Sequence, residues 1–375
     1  MKVPLYRHNL FGHDIDALGE EFKTVLKGMM LSTGSVCREV QDMFADMMGI
    51  KHCLLTNNWT GAAIATFMSL EIGRDDEVIM PAMTFVATAN SIEAVGAKPV
   101  LVDIDPATKL IDIDQVIAAV TPKTKAVMPV HLYGQMVDVK RLRSLLPEHI
   151  HIIEDSAHCI EGRRDGYGPG RYSSAALFSF YNSKNMTTGE GGAMITDDDD
   201  LLRRFTTVYR HGIDLDGYKR HVSEEFREPE AITNGIKANM SDLSALLLKP
   251  QIKMADDSNA KRSANAEVYR SELVGLGLEF PSVDPGVHHA YHLMAVGIDP
   301  RRRSQVLKEM DRRGIRSTVQ YKSVHMMRHY ADRHDPLDYP ISKLWGESVF
   351  SLPIFADLRE DELAYVIDTM KDILR

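Results

Sequence analysis

At 375 residues the chain exceeds what one hydrophobic core usually holds, so a large domain plus a smaller one is expected. With 44% apolar and 26% charged residues it should fold throughout, while a formal net charge of −9 without an extended basic stretch argues against nucleic acid as a partner. "MKVPLYRHNLFGHDIDALGEEF" lacks a signal peptide's apolar core, and no run approaches the roughly 18 apolar residues a bilayer span needs. Cys37, Cys53 and Cys159 show neither zinc nor redox spacing, which suits a reducing compartment. The expectation is a cytoplasmic protein with a small-molecule partner and no membrane contact.

From about residue 38 the apolar pattern alternates between periods. "REVQDMFADMMG" predicts a helix, "HCLLTN" a short strand and "TGAAIATFMSLEIG" another helix. Next come the strand "EVIMPA", a helical "TFVATANSIEAVGA", then "KPVLVDID", "TKAVMPVHLYG", a helical "DVKRLRSLL", "HIIEDSA", "AALFSFY" and "GAMITD". Short apolar runs separated by helices predict a mostly parallel sheet covered on both faces. In "TDDDDLLRRF" the successive acids suit a helix N-terminus better than a metal.

The polar stretch from 214 to 242 predicts a long functional loop. "MSDLSALLLKPQIKMADDSNAKRSANAEVYRSELVGLG" reads as helices, followed by "HLMAVGID", the charged helix "RRRSQVLKEMDRRG", "IRSTVQY" and a last helix from "EDELAYVIDTMKDIL". A large domain over 1–250 and a small α+β domain over 251–375 are expected. His288 and His292 in "VHHAYHLMAV" have zinc-like spacing but no third ligand nearby, so packing or substrate contact is expected there and no metal. "GYGPGRY" is read as a loop, since its glycines do not form a dinucleotide fingerprint.

Four places at or just beyond strand ends carry chemistry, which is where an open α/β sheet binds ligands. In "TNNWTGAA", Thr60 and Gly61 open a helix whose free N–H groups suit a phosphate or carboxylate; the alternative is an ordinary N-cap. Phe85 in "PAMTFVATAN" is either an aromatic slab for a ligand or a core residue. Asp155 and His158 close the strand of "HIIEDSAH", where a carboxylate could hold a protonated pyridine nitrogen or merely cap the next turn. Lys184, in "FSFYNSKNMTTGEGGAMI", follows an apolar strand bearing Ser179 and precedes a glycine-rich loop. A lone lysine can be a solvated surface group, but a buried one becomes a neutral nucleophile able to form a Schiff base. Anion cradle, slab, acidic partner and amine are together what pyridoxal phosphate requires.

"TNNWTGAA", "GRDDEVIMPAMTFVATANSIEAVGAKPVLVDID", "TKAVMPVHLYG", "IIEDSAH" and "FSFYNSKNMTTGEGGAMITDD" together resemble the DegT/DnrJ/EryC1/StrS family of sugar aminotransferases, over about residues 25 to 360. The resemblance implies a fold-type I, aspartate aminotransferase-like architecture: a large domain around a mostly parallel seven-stranded sheet, and a small C-terminal α+β domain. It implies pyridoxal 5'-phosphate on Lys184 as an imine, with pyridoxamine 5'-phosphate as intermediate. By position, Asp155 would pair with the pyridine nitrogen, His158 approach the ring hydroxyl and Phe85 stack on the ring, while Thr60, Gly61 and Ser179 hold the phosphate. A homodimer with shared active sites is implied, and in "GIKANM" either Lys237 or Asn239 would reach the partner's cofactor. Trp59, Gln320, Tyr321 and His325 are the candidate substrate residues, with Trp59 and Gln320 departing from the family's usual residues.

The implied reaction moves the amino group of L-glutamate, which leaves as 2-oxoglutarate, to a nucleotide-linked keto sugar. "TTGEGG" resembles members acting at carbon 4 of a 4-keto-6-deoxyhexose, as perosamine synthases do for surface polysaccharides. Alternatives are a 3-keto sugar or keto-inositol acceptor, or a catalytically idle regulatory relative. Lysine at 184, where the family's dehydratase branch has histidine, points to amino transfer.

Overall fold

The computed structural model describes residues 1–8, 15–214 and 229–375; of the expected loop over 214–242, residues 215–228 lie outside them. In chain order its strands are β1 (His52–Thr56), β2 (Glu77–Pro81), β3 (Lys98–Val102), β4 (Thr124–Val127), β5 (His151–Asp155), β6 (Arg163–Arg164), β7 (Ala175–Ser179), β8 (Gly192–Thr196), β9 (Val287–His288), β10 (Met294–Gly297) and β11 (Val349–Leu352). Seven of them form one sheet in the order β1-β8-β7-β5-β4-β2-β3. The contacts among β7, β5, β4, β2 and β3 are parallel, and β8 runs antiparallel to both β7 and β1.

The apolar runs are nearly continuous because both faces are covered. Val78 and Met80 point to one side, against helices Trp59–Ser69, Ala87–Ala94 and Asp199–Val208, while Ile79, Val127 and Ile152 meet helices Ile113–Ala118 and Val139–Leu145 on the other. Helix Ser35–Met48 covers the antiparallel end, placing Phe44 edge-on to Phe178 and Phe180 at 5.1 and 5.5 Å. The "TDDDD" run starts a helix as expected: the Asp198 side chain caps Asp200 and Leu201. No His/Cys/Asp/Glu group that could hold a metal occurs among the described residues.

A second body forms around the antiparallel pair β10 and β11, packed by helices Ala255–Leu273, Pro300–Arg312 and Glu360–Leu374. The stretch "IRSTVQY" makes isolated bridges only, Ile315 to Val3 and Thr318 to Ser351; the strand that pairs with β10 is β11. The reason is that β11 is buried along its whole length, whereas residues 316–321 are only partly covered or exposed. Val3 packs in this second core and bridges Ile315, so the N-terminus crosses to it.

This topology brings the ends of β5 and β7 together with the starts of β8 and of helix Trp59–Ser69. Gly192 pairs with Ser179 on one side and Thr56 on the other, and the turn into that helix crosses directly above it. A Cβ at Gly192 would stand 2.7 Å from the Asn58 carbonyl carbon and 2.8 Å from the Trp59 nitrogen, both backbone atoms. Gly192→Ala is therefore expected to lower stability by about 2 kcal/mol, read from urea unfolding of the cofactor-free protein.

Candidate active site

Asp155 ends β5 with only 5% of its surface exposed. Its Oδ2 accepts from Thr88 Oγ1 at 2.9 Å and its Oδ1 from the Ala157 N–H at 3.2 Å. Burial raises its pKa, which these donors and the nearby Lys184 partly offset. Thr88 is itself set by Thr84, one turn back, at 3.0 Å.

Lys184 sits in a tight turn closed by its own N–H to the Tyr181 carbonyl at 2.9 Å. Gln251 clamps the following loop, accepting from the Thr187 N–H and donating to the Thr187 carbonyl, both at 2.8 Å. The side chain opens onto a cleft between the two bodies, lined also by Leu5, Tyr6, Arg7, Arg262 and His292. Enclosure by protein pushes the amine from 10.5 down to about 8, with Asp155 opposing the shift.

His158 is locked at both nitrogens. Nδ1 accepts from the Tyr133 N–H at 3.2 Å, so the proton is on Nε2, which donates to the Tyr321 hydroxyl at 3.1 Å. Burial, with Lys184 and His292 beside it, holds it neutral. Tyr133 adopts φ 63° to make this contact, and its hydroxyl donates to the Gln320 carbonyl at 2.8 Å. Phe85 is 54% exposed, with its ring 5.4 Å from that of Tyr321, so it is a free flat face and not core.

At the anion cradle the structure departs from the sequence expectation. The Gly61 N–H is not free: the N-cap is Asn58, whose Oδ1 takes it at 2.7 Å. Thr60 is exposed at this helix start, and Ser179 is buried beside it at the end of β7. Asn239 is tied within its own chain, its Nδ2 donating to Ser32 and Thr33 at 2.8 and 2.7 Å, whereas Lys237 is exposed.

The expected substrate residues separate. Gln320 lines the cleft and Tyr321 joins the aromatic wall. Trp59, the first residue of its helix, turns into the core at 6% exposure. His325 is fully buried, 4.9 Å from the Tyr339 ring, and lies outside the cleft lining. As candidate substrate residues neither reaches the cleft: the helix start turns Trp59 inward, and the turn around His325 does the same.

Residues 14–371 match the DegT/DnrJ/EryC1/StrS aminotransferase family. The chain belongs to that family. Among solved structures, DesV from S. venezuelae, in complex with a ketimine intermediate, is 30% identical with a TM-score of 0.91, covering 100% of this chain and 99% of its own. Spr1654 from Streptococcus pneumoniae in its PLP form is 27% identical with a TM-score of 0.88, and 96% of each chain is covered. A DegT/DnrJ/EryC1/StrS aminotransferase from Brucella abortus is 25% identical with a TM-score of 0.86, covering 96% of this chain and 98% of its own.

The chain thus has the fold-type I architecture and is a pyridoxal-phosphate-dependent sugar aminotransferase. The site fits the cofactor: an enclosed amine near neutrality, a buried carboxylate with spare acceptor capacity and an uncovered aromatic face stand together at one sheet edge. Sequence reasoning missed Thr88, Tyr133, Glu161, Asn185 and Arg262, whereas His292, expected in packing or substrate contact, lines the cleft. Thr88 had a signal, one helical turn after Thr84, and Asn185 had adjacency to Lys184; the others meet only through the fold.

Because Asp155 is what opposes the burial shift, Asp155→Asn should move the Lys184 titration midpoint of the cofactor-free protein below about 8. Competitive acylation across pH, read by peptide mapping, measures it; an unchanged midpoint would separate the two groups.

Proposed function

We propose that the enzyme transfers the amino group of L-glutamate to a nucleotide-linked keto sugar, at carbon 4 of a 4-keto-6-deoxyhexose. The observation that carries the amino-transfer reading is Lys184, an enclosed amine held near neutrality opposite buried Asp155. What supports carbon 4 is the "TTGEGG" run after that lysine.

Pyridoxal phosphate, when bound, supplies an aldehyde that stores the amino group and a ring that takes up an electron pair. This chain's residues do the rest. Asp155 would hold the protonated pyridine nitrogen, Phe85 would cover the ring, and Thr60, Ser179 and the neighbourhood of Gly61 would hold the phosphate. Lys184 Nζ, at about 8, takes and returns a proton near physiological pH. His158, fixed as a neutral donor, steadies Tyr321 without adding a cation to the pocket.

The working form proposed is a homodimer with shared active sites. Helix Ile15–Lys27 buries none of its residues, and Met29, Met30 and Leu31 beyond it are 100%, 46% and 45% exposed. Such a patch suits a second copy. With Asn239 tied in cis, Lys237 is the proposed group reaching across. Sedimentation should give the mass of two chains, and Met29→Glu combined with Leu31→Glu should shift it to one.

Incubation with glutamate and a panel of 4-keto, 3-keto and inositol ketones should give 2-oxoglutarate and aminated product only with the nucleotide-linked 4-ketone. Borohydride should fix the cofactor on Lys184, and Lys184→Ala should abolish turnover. A colourless protein inert to glutamate would sink the reading, and amination of keto-inositol would redirect it.

A further inference from the structure

Asn185, the neighbour of Lys184, spends its whole amide on buried partners. Nδ2 donates to Glu161 Oε2 at 2.9 Å and to the Ala290 carbonyl at 3.2 Å. Both are acceptors only, which fixes the amide's orientation. Its Oδ1 therefore accepts a hydrogen bond from His292 Nδ1–H, 3.1 Å away. Glu161 in turn takes Arg262 Nη2 on its other oxygen at 2.7 Å, with side chains 2% and 4% exposed, and Arg262 Nε donates to Ala290 at 3.2 Å.

The consequence is a choice of tautomer. His292 is held with its proton on Nδ1, leaving a bare Nε2. His158, 4.4 Å away ring to ring, is held in the opposite form, with its proton on Nε2 committed to Tyr321. Of this histidine pair, His292 Nε2 alone has no hydrogen-bond partner among the described residues, and its ring lines the cleft with Lys184.

We propose that Asn185 is a positioning residue for amino transfer: it anchors the chain beside Lys184 and holds His292 so that its bare Nε2 offers the migrating amino group a neutral acceptor. The proposal rests on Lys184 being the reacting lysine. The charged and titratable groups that face that amine are Asp155 at the end of β5, His158 just beyond it with Tyr321 on its Nε2, and His292 from the segment before β10. Arg7, His8, Glu161, Lys261, Arg262 and Asp357 line the same cleft, and Asn185, bonded to the Glu161 carboxylate, sets a neutral amide next to Lys184 in the chain.

Asn185→Asp keeps the shape but sets a second carboxylate against Glu161 and beside His292. In the cofactor-free variant the Lys184 acylation midpoint should rise by about one pH unit, a tenfold change in the neutral fraction. kcat should fall more than tenfold while KM for the amino donor changes little. A folded variant with unmoved midpoint and kcat overturns the proposal. A second measurement needs no variant: histidine 15N–1H correlation spectra of the wild-type cofactor-free protein should show Nδ1–H for His292 and Nε2–H for His158. Nε2–H on His292 overturns it. Wild-type borohydride mapping separates the two readings: a tag on another lysine removes both, whereas a tag on Lys184 with an unmoved midpoint removes only this one.

Discussion

A buried carboxylate and a partly buried amine that act on each other set the terms for everything around them. Burial disfavours the charged form of each, so Asp155 is pushed up and Lys184 down. Left alone, both would drift toward neutrality, and a carboxylate without charge could not hold a pyridinium. The fold counters this on the acid side with Thr88, the Ala157 N–H and the amine itself. On the base side Asp155 is the one anion that acts on the amine among the described residues, and the amine's midpoint settles at about 8. The asymmetry is what amino transfer needs: a carboxylate anchor and a proton carrier whose midpoint lies within about one unit of physiological pH.

The pocket's remaining polar groups are wired so as not to disturb that balance. His158 and His292 are both neutral, for the same cause, burial. Their opposite tautomers follow from fixed partners: a backbone N–H on His158 Nδ1 and an amide oxygen at His292 Nδ1. The parallel sheet makes this possible by delivering Asp155 and Ser179 at adjacent strand ends, while antiparallel β8 returns the lysine loop to the same edge.

Much of this was legible in the chain. Period switches located every strand of the main sheet, because strands buried on both faces must be apolar throughout, and Lys184, Asp155 and Phe85 follow strands whose ends are fixed by that rule. What was illegible depends on contacts between distant segments. That the Gly61 N–H is taken within the chain was illegible, because either Asn58 or Thr60 could cap the helix, and only the backbone path selects Asn58. β11 was missed because its partner β10 is paired across a long separation. His325 shares a short segment with Tyr321, and sequence proximity says nothing about which side of a turn a ring takes.

The ion pair of Arg262 with Glu161 is the least expected feature of the cleft. Buried pairs repay their desolvation poorly, and well-packed apolar residues often match them in stability. Stability alone therefore gives little reason for one beside a reactive amine. Its geometry does give a reason: Glu161 is filled on one oxygen by a cation, which leaves the other to orient Asn185 without exposing net charge to Lys184. A carboxylate without the arginine would draw the amine's pKa up, and an apolar replacement would release the amide and with it the ring of His292. The pair is best understood as a neutral, rigid acceptor built from two charges, placed where a single charge would spoil the proton balance on which the site depends.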